Sequence, residues 1–372
     1  MRYKEYGRTG KQVSSIGFGG MRFPGEDSSE KCAALLVKAY ESGINYFDTA
    51  PGYGRSEDVF GLAFKTMLKS RAERPFYVSS KSFGDTPAAL RRDLEKSLQR
   101  MGLDSLDFFH SWCIKEYDEY IHRRDNGVFR EMERMKEEGL IKHICVSTHM
   151  DGSGIARMLA DYPSFEGVLL GYSAMNFAYR EEGVAAAAAR KMGVVVMNPL
   201  GGGIIPGNPD RFAFLKTSED ESVVEAALRF LLNDGRISLP LVGISNEAQL
   251  AEALSAIDGF TQIPDSKVSS MRKELSTSFN SLCTNCGYCK GCPMDVPITK
   301  LMDAYNHYVL AGKQDSALLN RLRWHWDITP ESAEFELCSY CGRCEELCTQ
   351  KLPIPERIRE ISRIAKRARS GN

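Results

Sequence analysis

Eight short runs rich in β-branched and aromatic residues recur through the chain, at 14–20, 44–50, 76–82, 106–112, 143–149, 167–173, 194–200 and 239–245. Helix-patterned stretches lie between them, among them 30–42, 56–69, 87–101, 127–138, 183–192 and 222–234. Runs this continuously apolar are buried on both faces, as in a parallel sheet covered by helices. Eight strand–helix repeats in about 275 residues match the count and size of a (β/α)8 TIM barrel. An open doubly wound sheet is the alternative, but no G-x-G-x-x-G follows the first run to bind a dinucleotide in the way that fold does. Residues 1–13, with Gly7 and Gly10, read as a short hairpin ahead of the first strand, at the barrel bottom. The AAAAA at 185–189 is good helix composition and carries no function.

The chain then changes character. Of 11 cysteines, 8 fall in two runs, Cys283-x-x-Cys286-x-x-Cys289-x-x-Cys292-Pro293 and Cys338-x-x-Cys341-x-x-Cys344-x-x-x-Cys348. A thiolate at every third residue lets one tight turn of backbone present three sulfurs to three corners of a cubane, and a more distant cysteine closes the shell. Disulfides would need an oxidising compartment. Zinc needs four ligands per site, and a third cysteine at the same spacing suits a cubane better. The two runs resemble those of the two-cluster bacterial-type ferredoxins. That resemblance implies one [4Fe–4S] cluster on Cys283, Cys286, Cys289 and Cys348, and a second on Cys338, Cys341, Cys344 and Cys292. Two departures stand out: the first run has two residues before its last cysteine instead of three, and Thr349 follows the second run where Pro is usual. The division expected is 1–275 for the barrel and 276–372 for an α-rich, ferredoxin-like domain. Cys32 and Cys145 are expected to be buried as small apolar residues.

In a barrel of this kind, chemistry lies at the C-terminal ends of the strands. Those ends carry Asp48, Lys81, His110, Trp112, His149 and Asn198, with Tyr53 just past Asp48. Phe47-Asp48-Thr49-Ala50-Pro51-Gly52-Tyr53-Gly54 and Ser80-Lys81, with Asn198-Pro199-Leu200-Gly201-Gly202-Gly203 and Gly243-Ile244-Ser245, resemble the aldo-keto reductases, in the subfamily with a C-terminal ferredoxin-like extension. The resemblance implies an oxidoreductase that interconverts a small-molecule carbonyl and alcohol with NADP or NAD. It implies Tyr53 as proton donor, Lys81 as the cation that favours the phenolate, and Asp48 as the partner of Lys81. Hydride addition creates an oxyanion that must be protonated or stabilised, and a nearby ammonium lowers a phenol's pKa from its usual ~10.

The same resemblance exposes departures. The family's pattern is Asp, four residues, then His; from Asp107 that place falls to Trp112. His110 lies on the same strand face about 6.6 Å deeper, and reaches that place only through a bulge or register shift. Both therefore stay candidates, although an indole N–H can donate but cannot act as an acid or base. The implied nucleotide contacts are Ser147, Thr148, Asn176, Gly201, Gly202, Ser245 and Gln249. Thr148 stands where Asn is usual, and Met197 where many members stack an aromatic. No Lys or Arg occurs between Ile237 and Asp265, so a 2′-phosphate finds no cation in that segment. The alternative is a barrel without nicotinamide chemistry, which acts through cluster-fed electrons or proton abstraction by Tyr53 and Lys81.

With 48 Lys+Arg against 49 Asp+Glu, the net charge of −1 argues against a nucleic-acid-binding surface. No apolar run is long enough for a membrane span, and the N-terminus shows no apolar signal segment. These features lead to the expectation of a cytoplasmic protein, and the implied clusters, being oxygen-sensitive, to that of a low-oxygen setting and a redox protein partner. The charged segment 113–126 reads either as a cover over the active-site mouth or as a solvated excursion. The segment 258–281 reads as the connector, the aromatics Trp324 and Trp326 as core or interdomain packing, and the basic tail 357–369 as a solvated helical face.

Overall fold

The computed structural model describes residues 1–175, 177–278, 282–332 and 336–370. Contacts along the chain divide it into two compact units, Met1–Ser278 and Phe279–Asn372.

In the first unit, a short antiparallel pair, β1 (Tyr3–Glu5) and β2 (Gln12–Ser14), precedes a closed barrel. Its strands are β3 (Gly17–Gly19), β4 (Tyr46–Asp48), β5 (Tyr77–Ser82), β6 (Leu106–Ile114), β7 (Ile141–Thr148), β8 (Gly167–Gly171), β9 (Gly193–Met197) and β10 (Leu239–Gly243). Each pairs in parallel with its sequence neighbour, and β10 returns to β3. All eight runs read from the sequence are therefore strands, in the closed form and not the open sheet. The interior fills in layers. Tyr46, Phe108, Cys145, Leu169, Val195, Leu239 and Leu241 form the lower layer.

The hairpin supplies the plug. Tyr6, between β1 and β2, is fully buried in that lower layer with its ring centroid 4.2 Å from that of Phe108. Burying such a ring is worth about 2–3 kcal/mol, and it requires Gly193, where a Cβ would lie 2.0 Å from Tyr6 Cε1.

Local signals account for the helices. Thr86, Asp151 and Ser222 cap the helices Pro87–Met101, Gly152–Asp161 and Val223–Leu232 by accepting from backbone N–H groups. The segment 113–126 is not a wholly solvated excursion. It folds into the helix Tyr117–Asp125, with Tyr120 fully buried and Arg123 4% exposed. Most of the expected connector is likewise structure, since the helix Asp265–Ser278 belongs to the first unit and buries Met271 and Leu275.

The second unit is built from the helices Ile298–Leu310, Asp315–Trp326, Arg343–Glu346 and Ile354–Ser370. The last of these corrects the reading of a solvated tail. Ile354, Ile358, Ile361 and Ala365 fall on one helical face and are buried, whereas Arg359, Arg363 and Lys366 are exposed. The reading of the tryptophans holds for only one of them. Trp326 donates its indole N–H to Asp303 at 2.8 Å, but Trp324 is 77% exposed. Among the described residues, no helix is long and apolar enough to cross a membrane.

Candidate functional site

Strand register brings the rim residues together. Asp48 ends β4 and pairs with Ser79 of β5, and Lys81 of β5 pairs with His110 of β6. With side chains alternating along each strand, Ser79, Lys81 and His110 share the barrel interior with Asp48. Lys81 Nζ donates to Asp48 Oδ1 at 2.5 Å and to the Thr49 carbonyl at 3.0 Å, while Ser79 Oγ donates to the same Asp48 oxygen at 2.9 Å. Lys81 is fully buried and Asp48 nearly so. Burial pushes the lysine's pKa down and the carboxyl's up, and each partner's charge opposes the other's shift. The Lys81 ammonium stands 5.3 Å from the centroid of the Tyr53 ring. The predicted Asp48, Tyr53 and Lys81 are thus gathered at one place.

Trp112 and His110 separate. A register irregularity does occur in β6, between Ser111 and Ile114, with Cys113 at a φ of 60°. It lies beyond His110, which keeps regular pairing with Lys81 and Cys145. The bulge therefore does not lift His110 to the rim, and it is Trp112 that meets Tyr53, ring edge to ring face at 5.4 Å. Trp112 is also stacked on Phe83 at 3.8 Å, and Phe83 is half exposed. Gly52 makes room for the indole: a Cβ there would lie 2.7 Å from its Cη2. From the helix that follows β6, Arg123 donates to the Trp112 carbonyl at 2.8 Å and to Ser111 Oγ at 3.0 Å, which anchors the bulged strand end.

His110 is completely buried, and neither ring nitrogen has a hydrogen bond of ordinary geometry among the described residues. Burial, aided by the charge of Lys81, pushes it down from 6.5 to about 3. Burial, with the charges of Arg180 and Lys115, does the same to His149. Both imidazoles are therefore neutral near pH 7. Because folding depresses these pKa values, their contribution to stability is complete above about 6.5 and is lost as pH falls toward 3. Each costs about 1.4 kcal/mol per pH unit within that window. Denaturant unfolding between pH 6.5 and 5 tests this: His110→Gln is expected to flatten the pH dependence by about that amount. Parallel lines for the variant and the parent would refute it.

The expected nucleotide contacts are found in several settings. Ser147 Oγ is buried at the end of β7 without a partner among the described residues. The Thr148 hydroxyl is committed, donating to the Ile114 carbonyl at 2.8 Å and accepting from Met150 N–H at 3.1 Å. Gly201 and Gly202 form a 3-10 turn after β9 with φ of 62° and 69°. Gln249 Oε1 accepts from the Ser245 N–H at 2.8 Å. Asn176 lies outside the described residues.

Several residues that complete the rim were missed in the sequence. Arg22 lies against Gly243, and its carbonyl accepts from Ser245 Oγ at 2.8 Å; Lys38 reaches Glu247 at 2.5 Å. The cations absent from 237–265 thus arrive from elsewhere in the chain. Arg180, fully buried, donates to the carbonyls of His149, Met150 and Gly171 and ties β7 to β8. Phe83 and Arg22 were findable by the strand-end rule applied to 76–82 and 14–20. Arg180 carried no local signal.

The second unit brings thiols of the two runs close together, as both expected quartets require. Cys283, Cys289 and Cys348 share one buried cluster, and Cys286, Cys289 and Cys348 all lie close enough to Cys283 to raise its thiol pKa, after burial. Cys289, Cys292, Cys338, Cys341 and Cys344 line a common hollow. Thiols of both runs thus meet in each neighbourhood, as a crossed arrangement of two cubanes would need. Among the described residues, no three His, Cys, Asp or Glu side chains converge to hold a single metal ion. The quartets differ in exposure: Cys341 is exposed, whereas Cys283, Cys289 and Cys348 are buried.

Two family models match separate segments of the chain. The sequence model of the Aldo/keto reductase family matches residues 15–275, and that of a 4Fe-4S dicluster domain matches residues 282–364. L-galactose dehydrogenase of Arabidopsis thaliana is 25% identical over 288 residues, covering 68% of this chain and 86% of the plant enzyme. The NADH-specific methylglyoxal reductase of Escherichia coli is 27% identical over 225 residues, covering 55% of this chain and 67% of that enzyme. A crystallised Pseudomonas aeruginosa chain of the aldo-keto reductase type has a TM-score of 0.55 at 23% identity, covering 68% of this chain and 95% of that one, a likeness of fold.

Proposed function

Because the chain belongs to the aldo/keto reductase family and carries a 4Fe-4S dicluster domain, we propose that its barrel rim interconverts a small carbonyl compound and its alcohol with a nicotinamide nucleotide. We further propose that its clusters exchange electrons with a redox protein. The observation that carries this reading is the buried Lys81–Asp48 pair lying beside the Tyr53 ring at the strand ends. NAD(P)H, when bound, supplies the hydride. Tyr53 gives its phenolic proton to the oxygen on which charge develops. Lys81 stabilises the phenolate left behind, and Asp48 with Thr49 holds the ammonium in place.

Ser147 is the rim hydroxyl left to meet a nicotinamide amide, since Thr148 is engaged with backbone. The turn of Gly201 and Gly202, with Gly201 packed against Met175, offers bare backbone to the nucleotide, and Ser245 and Gln249 exchange their mutual bond for phosphate and adenine contacts. Arg22 supplies positive charge there. Cys283, Cys286, Cys289 and Cys348 hold one [4Fe–4S] cluster; Cys338, Cys341, Cys344 and Cys292 hold the other. The clusters supply one-electron transfer. The exposed thiol of Cys341 makes the second the outer cluster, the one that meets the partner.

Trp112 favours a second reading, in which Tyr53 and Lys81 abstract a proton without a nucleotide. Turnover separates the two. The anaerobically reconstituted chain is expected to oxidise NADH or NADPH with a panel of aldehydes and ketones that begins with methylglyoxal, the compound named for the activity of one relative. Trp112→His is expected to raise the rate on simple aldehydes about tenfold or more, by placing an acid–base group beside Tyr53. A fully iron-loaded chain that oxidises neither nucleotide with any member of the panel would overturn the proposal.

A further inference from the structure

Thr349 follows Cys348 directly, so the residue after the fourth ligand carries a hydroxyl where the ferredoxin pattern has a Pro. It is 2% exposed, and its Oγ1 lies 3.4 Å from Cys286 Sγ, a thiol of the other run. Gln350 Nε2 donates to the same Oγ1 at 3.4 Å. A thiolate bound to iron has no proton to give, so between hydroxyl and sulfur the hydroxyl is the donor. The direction is therefore fixed: Gln350 to Thr349 to Cys286.

Backbone N–H groups also approach sulfur in both quartets, from Asn285 to Cys283, from Leu352 to Cys348 and from Tyr340 to Cys338, each at 3.4 Å. At the first quartet Thr349 adds a side-chain donor in a buried setting, where such a bond is stronger than in water. We propose that Thr349 is a positioning residue that tunes the inner cluster, raising its reduction potential by donating its hydroxyl to the Cys286 thiolate. This inference rests on the assignment of Cys283, Cys286, Cys289 and Cys348 as one ligand set. The physical reason is charge. Taking up one electron makes the cluster and its sulfurs more negative, so a hydrogen bond to sulfur stabilises the reduced state more than the oxidised one.

The test is a redox titration of the full chain, reconstituted anaerobically and followed by electron paramagnetic resonance. In Thr349→Val the inner cluster is expected to become about tenfold harder to reduce, a downward shift of about 59 mV for one electron. The outer cluster should be unmoved and the iron content should stay near ~8 per chain. Thr349→Ser restores the parent potential, and Thr349→Ala, should Val not fit, lowers it. Parent potentials in iron-loaded Thr349→Val or Thr349→Ala would overturn the proposal. Cys286→Ala, which leaves no donor atom, separates this from the ligand assignment. Loss of one cluster's signal there, with Thr349→Val at the parent potential, overturns the role of Thr349 alone; two intact clusters overturn both.

Discussion

Replacing Tyr53 with Phe is expected to lower kcat/KM for carbonyl reduction by about 10²- to 10⁴-fold, the range that a positioned general acid contributes. The substitution keeps the ring and removes the hydroxyl. The ring's edge contact with Trp112 and its place beside the Lys81 ammonium involve the ring and not the hydroxyl. The fold, the iron content and nucleotide affinity should therefore match the parent. Trp112, the ring against Tyr53, cannot transfer a proton and so cannot take over, which places the expected loss toward the upper end of the range. Steady-state rates with matched iron loading check this. A Tyr53→Phe chain with parental turnover would remove Tyr53 from the chemistry and leave it a packing residue.

The second large effect concerns stability. Lys81 and Asp48 are a buried ion pair, with side-chain exposures of 0% and 4%. Two charges out of water are tolerable only together, so removal of either leaves an uncompensated group in the interior. Asp48→Asn and Lys81→Met should each cost about 3–5 kcal/mol in denaturant unfolding of the barrel. The double variant Asp48→Leu with Lys81→Met should recover much of that loss, because an apolar pair carries no desolvation penalty, while carbonyl turnover stays abolished. Single variants within about 1 kcal/mol of the parent would mean that water reaches the pair and that burial does not shape it.

The barrel was legible in the sequence because its strands are buried on both faces, which leaves an apolar run such as 194–200 unmistakable. The strand-end rule put Asp48, Lys81 and Tyr53 on one rim, and the family resemblance singled them out. Elements whose stability comes from tertiary contacts were less legible. The helix Tyr117–Asp125 has little apolar periodicity and is held by Tyr120 and by Arg123, which bonds back to β6. Gly152–Asp161 begins with Gly-Ser-Gly and reads as a loop until the Asp151 cap is recognised. In the tail helix, basic residues drew attention from the isoleucine stripe beneath them. Arg22 and Arg180 act on groups far away in sequence, where spacing gives no warning. Which of His110 and Trp112 meets Tyr53 could not be read, because the bulge that would exchange them is a matter of strand pairing.

The most direct measurement is an anaerobic titration of the cluster-reconstituted chain with NADH and with NADPH, following nicotinamide fluorescence and cluster absorbance together. The account predicts micromolar binding of at least one nucleotide, weakened by replacing Arg22 with Ala. Binding of neither nucleotide to the iron-loaded protein would contradict it, and the rim formed by Asp48, Tyr53 and Lys81 would then be a site for proton transfer without a hydride carrier.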